Sequence, residues 1–321
     1  MKKSLLAVIG SAALLSGCAT VYPEPFVPIA PINIAPPAKA PTATAGVSVI
    51  TRLTNDPAPE LMPRVSEDKS TVLVTVRDMR KSGSESLSIV SFNVNNPGRR
   101  LIAGPYAGAA AWIEGNQIVY SYLRGSKPVL VKQNLNANGM RFISPAPFGE
   151  SDQMASFNSA SDKLSFQTSI GGVLHIATVD LDGRNFTVYV EGEYPSWMPD
   201  GKSISFHRNV GNTVQIFMLN LKDGSVTQLT SGASGNKFAS ISPSGKHIAF
   251  VSDRDGKDHI YTMRANGSEL RQVTSGDTQE AFPTWLGESE LLFSSDAGAM
   301  TPVTGRAYQW DFADIWKAKL K

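Results

Sequence analysis

The chain has 321 residues, with 30 Lys and Arg against 28 Asp and Glu, so its formal net charge is only +2. A charge this close to zero, without a basic stripe, argues against nucleic acid as a partner. Cys18 is the only cysteine, which excludes a fold held together by internal disulfides.

The N-terminal residues have the form of a secretory signal. Lys2 and Lys3 precede an apolar segment, residues 5–15, that is shorter than the roughly 20 residues needed to cross a bilayer. Small residues stand directly before Cys18, and this stretch resembles a bacterial lipoprotein signal with its lipobox. The resemblance implies lipidation of Cys18 and membrane association through the lipid. Because Ala19 follows instead of Asp, it also implies the outer membrane, on its periplasmic side.

Residues 19–46 contain seven prolines and many alanines. Proline at this density favours an extended polyproline II conformation of about 3.1 Å per residue, which predicts a tether. No second segment of this kind occurs from Val47 onward. The sequence therefore predicts a signal peptide over residues 1–18, a tether over 19–46 and one globular domain over 47–321.

The segment Tyr194–Gly276 contains one pattern twice, with an offset of 44 residues and no gap. Trp197 aligns with Ile241, and Phe206 aligns with Phe250. Within each copy, short β-branched and aromatic stretches are separated by Gly, Asp, Asn and Pro, which predicts four strands and three turns. A four-stranded repeat of about 40 to 45 residues is the period of a β-propeller blade.

The turn Trp197–Lys202 and the run Ile248–Gly256 resemble the TolB-type repeat, a WD40-like propeller unit. Its hallmark is a Trp-Ser-Pro-Asp-Gly-Lys turn followed by Ile-Ala-Phe and Ser-Asp-Arg-x-Gly, from which the turn differs only at Met198. The resemblance implies an all-β propeller fold. Since TolB binds a peptidoglycan-associated lipoprotein in the Tol-Pal system, it also implies an envelope protein as partner, although one fold hosts many functions.

Six copies of the blade pattern can be found. Five show a large apolar residue before the turn and an aromatic core residue after it: Trp112 with Tyr120, Phe157 with Phe166, Trp197 with Phe206, Ile241 with Phe250, and Trp285 with Phe293. The first copy is the weakest, with Pro63–Lys69 before the strand Val72–Val76.

The sixth copy reaches Lys321 before a fourth strand, whereas Val49–Asn55 matches the fourth-strand pattern of an internal blade. We therefore predict an all-β, six-bladed β-propeller in which the N-terminal strand closes the last blade and removes an open sheet edge.

The motifs of enzymes built on similar propellers are missing. No GxSxG nucleophile elbow occurs in the sequence, and we expect no hydrolase domain after the ring. The repeat register accounts for the histidines, because His175 and His259 share a position that Gln215 occupies in the intervening blade. No two histidines have HxxxH spacing. We expect no catalytic activity, no metal and no cofactor.

The acidic residues around Gly256 look only partly like a calcium loop. Asp253, Asp255 and Asp258 surround Gly256, but Arg264 stands where the twelfth position of an EF-hand needs a bidentate Glu. The pattern is instead typical of a β-hairpin turn, in which Asp caps its own backbone and Gly adopts a positive φ.

The surface loops remain as candidates for function. In a propeller, the loops between blades and between second and third strands converge on one face around the channel mouth, where exposed Arg and Tyr are common interface anchors. The candidates on this face, besides the long segment 296–306, are Arg77, Asp78, Arg80, Tyr122, Arg124, Lys127, Tyr194, Arg208, Asp253 and Arg254.

We interpret the chain as a non-catalytic protein-binding or scaffolding module of the cell envelope. Two alternatives stay open: a glycan-binding or degenerate polysaccharide-lyase-like propeller, and an accessory subunit of a secretion or surface-structure assembly.

Overall fold

A computed structural model describes residues 39–55, 58–78, 81, 83–137, 139–143, 147–298 and 313–321. They form six four-stranded antiparallel sheets and one small two-stranded sheet, which confirms the expected all-β, six-bladed propeller. Two short 3-10 turns, Gly83–Ser86 and Asp296–Gly298, are the helical elements in these residues. No helix among them has the length and hydrophobicity that a membrane crossing requires.

The strands follow one another around the ring. Two strands precede the first blade, β1 (Thr42–Ala43) and β2 (Val47–Arg52). Blade 1 contains β3 (Glu60–Val65), β4 (Thr71–Arg77), β5 (Leu87–Asn93) and β6 (Asn96–Ala103). Blade 2 contains β7 (Ala107–Ile113), β8 (Gln117–Arg124), β9 (Lys127–Asn134) and β10 (Met140–Phe142). Blade 3 contains β11 (Asp152–Asn158), β12 (Lys163–Ile170), β13 (Val173–Asp180) and β14 (Thr187–Glu191).

The second half contains the most regular repeats. Blade 4 consists of β15 (Glu193–Trp197), β16 (Ser203–Val210), β17 (Thr213–Asn220) and β18 (Val226–Gln228). Blade 5 consists of β19 (Asn236–Ile241), β20 (His247–Ser252), β21 (His259–Arg264) and β22 (Arg271–Gln272), and is followed by β23 (Thr274–Ser275). Blade 6 consists of β24 (Glu280–Trp285), β25 (Glu290–Ser295), β26 (Asp314–Leu320) and β2.

The core lies between the blades and follows the aligned residues. Trp197 pairs with Ile204, which places the buried Phe206 two residues further along the second strand. Tyr120, Phe166, Phe250 and Phe293 occupy the same position in blades 2, 3, 5 and 6 and are also buried. In blade 1 the pairing of Val65 with Val72 places Val74 there. A smaller residue in this position explains why the first copy is the weakest in sequence.

The N-terminal strand closes the ring as predicted. In the last blade β2 pairs with β26, with Ile50 opposite Ala318 and Arg52 opposite Trp316. Val47 is 5% exposed and packs into the core between blades 5 and 6. The Arg52 guanidinium also contacts the Asp314 carboxylate at 2.5 Å. Closure therefore combines backbone pairing, apolar burial and an ion pair.

Residues just before the closing strand belong to the folded structure, although their composition assigns them to the tether. Thr42 pairs with Ser275 and Ala43 pairs with Thr274, so that β1 adds to β23. The Thr44 hydroxyl donates to the Gln272 carbonyl at 2.5 Å. Backbone groups make this pairing, so composition cannot reveal it. The predicted signal peptide, including Cys18, and residues 19–38 lie outside the described residues.

Three tryptophans link neighbouring blades. The indole Nε1 atoms of Trp112, Trp197 and Trp285 donate to the carbonyl oxygens of Arg64, Ser156 and Ser240 at 3.0, 3.1 and 3.0 Å. Each bond runs from the end of a first strand to the first strand of the preceding blade. The Trp of the repeat pattern thus contributes apolar burial and one directional contact between blades.

Candidate functional site

The loop face is defined here as the end of the disc that carries the turns between second and third strands and the connections between blades. These two kinds of loop meet at the blade 5–6 boundary, where the Glu280 amide donates to the Asp258 carbonyl at 2.8 Å. Lys257 and Asp277 form an ion pair there at 3.1 Å. The sequence expectation that these loops share one face therefore agrees with the geometry.

The channel below the loop face is filled by apolar side chains. Every first strand contains one non-glycine residue with φ between 51° and 57°, at Met62, Ala109, Met154, Tyr194, Phe238 and Phe282. Each lies where the ladder register shifts, which is the geometry of a β-bulge. Five of the six, from five blades, meet in one cluster, so the cluster lies on the ring axis.

Tyr194 belongs to this cluster, so its assignment to the exposed binding surface was wrong. The side chain is 5% exposed and its ring stacks against Phe282 at 5.9 Å. Its hydroxyl accepts a hydrogen bond from Arg64 Nη2 at 2.8 Å. The bulge turns Tyr194 toward the axis, and a sequence pattern of alternating strand residues does not show such a turn.

His207 supports the same cluster from the second strand of blade 4. Its Nδ1 accepts the Phe238 amide proton at 3.3 Å, and its ring lies 6.1 Å from that of Tyr194. Burial, with a smaller contribution from Lys237, lowers the pKa of His207 to about 4. The equivalent residue of blade 3, Gln167, accepts the Tyr194 amide proton at 3.0 Å. His207 therefore has a structural role as a neutral acceptor.

Arg208 and Arg254 occupy similar surroundings on adjacent blades. The Arg208 guanidinium carbon lies 4.4 Å from the centroid of Phe217, and that of Arg254 lies 4.7 Å from Tyr261. Phe217 and Tyr261 pair with the core residues Phe206 and Phe250, so they are equivalent positions. Arg254 also donates to Asn236 Oδ1 at 2.7 Å and to Ser252 Oγ at 2.9 Å. Both guanidinium groups are thus positioned against rings at the loop face.

The other candidates form two groups. Asp253 lies beside Arg254 and accepts the Gly235 amide proton at 2.8 Å. On the other side of the ring, Arg77 ends the second strand of blade 1 and Asp78 follows it, and the blade 2 hairpin carries Tyr122, Arg124 and Lys127. Arg124 lies over the Phe142 ring at 4.8 Å. Arg80 and residues 299–306 lie outside the described residues. Blades 3 and 6 separate the two groups, so the candidates do not form one continuous patch.

Buried polar networks at the blade boundaries were not identified from the sequence. Between blades 4 and 5, Gln215 accepts from Thr230 at 2.8 Å and from Asn236 at 3.0 Å. Between blades 5 and 6, the Thr274 hydroxyl donates to Glu280 at 2.7 Å, and His259 Nε2 lies 3.9 Å from the same carboxylate. Burial raises the pKa of Glu280. In the sequence, these networks are indicated by Gln215 and His259, which occupy the same position of the repeat.

Glu193 at the channel mouth is a second residue that sequence reasoning missed. It directly precedes Tyr194 and starts the first strand of blade 4. Burial raises the pKa of its carboxyl group. Among the described residues the carboxylate has no hydrogen-bond or ion-pair partner. In the sequence, only its place directly before Tyr194, the bulge residue of this blade, indicates that Glu193 lies near the channel.

The histidines do not form a metal centre in the described part of the chain. No group of three or more His, Cys, Asp or Glu side chains there is arranged to hold a metal ion. His259 Nδ1 contacts Asp255 at 2.7 Å, His175 Nδ1 lies 3.0 Å from the Val173 carbonyl, and His207 accepts from the backbone. Their positions agree with the repeat register rather than with a shared ligand.

A family model described as "TolB beta propeller domain" matches residues 187–304. Tol-Pal system protein TolB from Anaeromyxobacter dehalogenans is 33% identical over 119 residues, which is 36% of this chain and 27% of that protein. TolB from Francisella tularensis is 27% identical over 133 residues, 39% of this chain and 31% of that protein. The chain spans between 27% and 47% of the length of the curated relatives it matches.

Solved structures share the fold. TolB from Acinetobacter baumannii superposes with a TM-score of 0.57 at 19% identity, covering 78% of this chain and 63% of that one. A gluconolactonase from Xanthomonas campestris superposes with a TM-score of 0.66 at 11% identity, covering 92% of this chain and all of that one. At these identities the likeness concerns the fold alone, which serves binding proteins and enzymes alike. Residues 187–304 thus match the TolB beta propeller domain, and they form part of a six-bladed β-propeller.

Proposed function

We propose that this protein is a non-catalytic module of the cell envelope that binds another protein through its loop face. The observation that carries the proposal is the pair Arg208 and Arg254, each positioned on an aromatic ring at the same end of adjacent blades. Arg is enriched among the residues that dominate protein interfaces. A guanidinium held against a ring loses less conformational freedom on binding than one that is fully mobile.

The filled channel supports binding on the face rather than inside the ring. Tyr194, Phe238 and Phe282 pack with centroid distances from 4.5 to 5.9 Å, and Tyr194 and Phe282 are each only 5% exposed, so these rings close the axis below the loops. Around this axis the loop face offers charged and aromatic side chains. The name of the matched relatives, Tol-Pal system protein, is consistent with an assembly of several proteins.

The proposed location is the periplasmic side of the outer membrane. It rests on the lipobox-like sequence before Cys18, on Ala19 after it, and on the proline-rich residues 19–38. Two or more acyl chains on Cys18 would anchor the protein stably, because each buried CH₂ contributes about 0.8 kcal/mol. The proline-rich segment would let the propeller reach a partner away from the membrane surface.

Capture of partners from membranes tests the binding face. Arg208→Ala with Arg254→Ala should reduce crosslinked protein partners at least tenfold, with urea unfolding confirming that the variant remains folded under the capture conditions. The matched control is Lys202→Ala with Arg184→Ala, two exposed cations at the opposite end of blades 4 and 3. Unchanged capture by the loop-face variant would reject this face. Capture of polysaccharide instead of protein would reject the proposed partner class.

Lipid labelling tests the anchor separately. Cys18→Ser should abolish incorporation of radiolabelled palmitate and move the protein from the membrane pellet to the soluble fraction. Cys18 is the only thiol, so no second site complicates the result. A Cys18→Ser protein that remains in the outer-membrane fraction would show that the proposed anchor is wrong.

A further inference from the structure

The end of blade 5 opposite the loop face concentrates basic side chains. Every blade presents two residues here, the first residue of its second strand and the cross-strand partner of that residue on the third strand. In blade 5 these are His247 and Arg264, which pair directly and are preceded by Lys246. Both face blade 6, because the ring of His247 lies 6.4 Å from that of Trp285.

The other blades fill the same pair of positions differently. Blade 3 has the ion pair Lys163 and Asp180 at 2.5 Å. Blade 6 places Glu290 opposite Lys319, while the pairs in blades 1, 2 and 4 are uncharged, namely Thr71 with Asn93, Gln117 with Asn134, and Ser203 with Asn220. All six pairs lie within the described strands, and only blade 5 places two basic residues opposite each other.

Nearby carboxylates compensate only part of this charge. Glu269 contacts Arg264 at 2.7 Å and Arg271 at 3.7 Å, and the hydrogen bond from Arg264 lowers the pKa of Glu269. Glu288 is engaged by the amide and hydroxyl of Ser244, both at 2.7 Å. The Lys246 ammonium has no hydrogen-bond or ion-pair partner among the described residues. One carboxylate is therefore shared by two arginines, with a lysine and a histidine beside them.

These side chains border a concave space. A cavity of about 510 Å³ is lined by Lys246, His247, Arg264, Ala265 and Asn266. This volume lies within the range of about 300–1,000 Å³ found for small-molecule sites. The space is larger than a single inorganic ion requires. Lys provides a compact charge and Arg a planar fork of donors, which together suit the oxygens of a phosphate group approached from several directions.

We propose that this pocket of blade 5, formed by Lys246, His247 and Arg264, binds a phosphate-bearing ligand. The site lies at the opposite end of the disc from the loop face, so it is independent of the protein-binding function proposed above. The phosphate group could belong to a soluble polyphosphate or phosphate ester, or to a lipid headgroup. The recognising chemistry is the same in both cases.

The test uses the full chain and compares the pocket with the equivalent positions of blade 4. In the variant His247→Ser with Arg264→Asn, blade 5 carries the residues that blade 4 has at these positions, Ser203 and Asn220, which the same backbone accommodates. The control Lys202→Gln with Arg184→Gln removes two cations from the same face outside the pocket. Affinity for inorganic pyrophosphate is measured by calorimetry at constant ionic strength, and sedimentation measures binding to vesicles containing phosphatidylglycerol.

We expect the wild type and the control to bind pyrophosphate equally and the blade 5 variant to bind at least tenfold more weakly. Binding to vesicles but not to pyrophosphate, with the same dependence on the variant, would support the proposal and identify a lipid headgroup. Equal weakening in the control and the blade 5 variant would overturn it, since binding would then follow total charge. Failure of the wild type to bind either probe would also overturn it.

Discussion

The stability of the ring should depend on pH through His207, and the structure allows the size of the effect to be worked out. The imidazole is 6% exposed, and its Nδ1 accepts the Phe238 amide proton. Burial and the nearby Lys237 lower its pKa from 6.5 to about 4. The folded protein therefore keeps His207 neutral in a pH range where the unfolded chain binds a proton there.

The sign and the magnitude follow from this difference. Above pH 6.5 both states are neutral at His207, so its titration does not affect the free energy of unfolding. As the pH falls from 6.5 to about 4, the unfolded state takes up the proton and stability is lost. At about 1.4 kcal/mol per pKa unit, the full loss is about 3 kcal/mol. Below pH 4 both states are protonated and the loss is complete.

Urea unfolding of the wild type and of His207→Gln between pH 7.5 and 4.5 measures the effect. Gln can replace His207 as the acceptor, because Gln167 of blade 3 accepts the equivalent amide proton, that of Tyr194 in blade 4. The difference between the two free energies of unfolding cancels the titration of all other groups. We expect this difference to move in favour of the variant by about 2 to 3 kcal/mol as the pH falls. A difference that stays constant within about 0.5 kcal/mol would refute a buried neutral His207.

Three further results are expected. Trp197→Ala should lower the free energy of unfolding by about 3 to 5 kcal/mol, whereas Trp197→Phe should lower it by about 1 kcal/mol through the lost hydrogen bond to the Ser156 carbonyl. If urea titrations show a loss under about 0.5 kcal/mol for Trp197→Ala, the indole lies on the surface. Deleting residues 47–55 should open blade 6, so that calorimetry shows a lower and broader transition; an unchanged transition would contradict closure by β2. Glu193→Gln should stabilise the protein at pH 7 but not at pH 4, because burial raises the pKa of Glu193 and ionisation then costs stability as the pH rises. If the urea midpoints of variant and wild type differ by the same amount at both pH values, this burial of Glu193 is wrong.

The blade count and the ring closure could be predicted because both depend on local pattern. Alternation of apolar residues specifies which face of a strand is buried, and Trp197 and Phe206 recur at Ile241 and Phe250 in the same register. The missing fourth strand of blade 6 was visible as an unpaired pattern near the N-terminus. Each of these signals needs only a few neighbouring residues to be read.

The channel could not be predicted in the same way. Met62, Ala109, Met154, Tyr194, Phe238 and Phe282 share one backbone position, yet their side chains range in size from Ala to Tyr. Their positive φ values come from bulges in the ladder, whose amides are held by side chains such as Gln167 and His207 from the preceding blade. For this reason Tyr194 was placed among the exposed loops, while it lies on the axis.

The sequence by itself determined the repeat, the number of blades and the closing strand, because these follow from periodicity and from aligned positions within single blades. Only the tertiary structure decided which side chains meet across blades: the cluster on the axis, the networks around Gln215 and His259, and the basic pocket of blade 5. Such contacts depend on how far each blade is rotated and displaced relative to the next, and no local pattern of residues encodes that geometry.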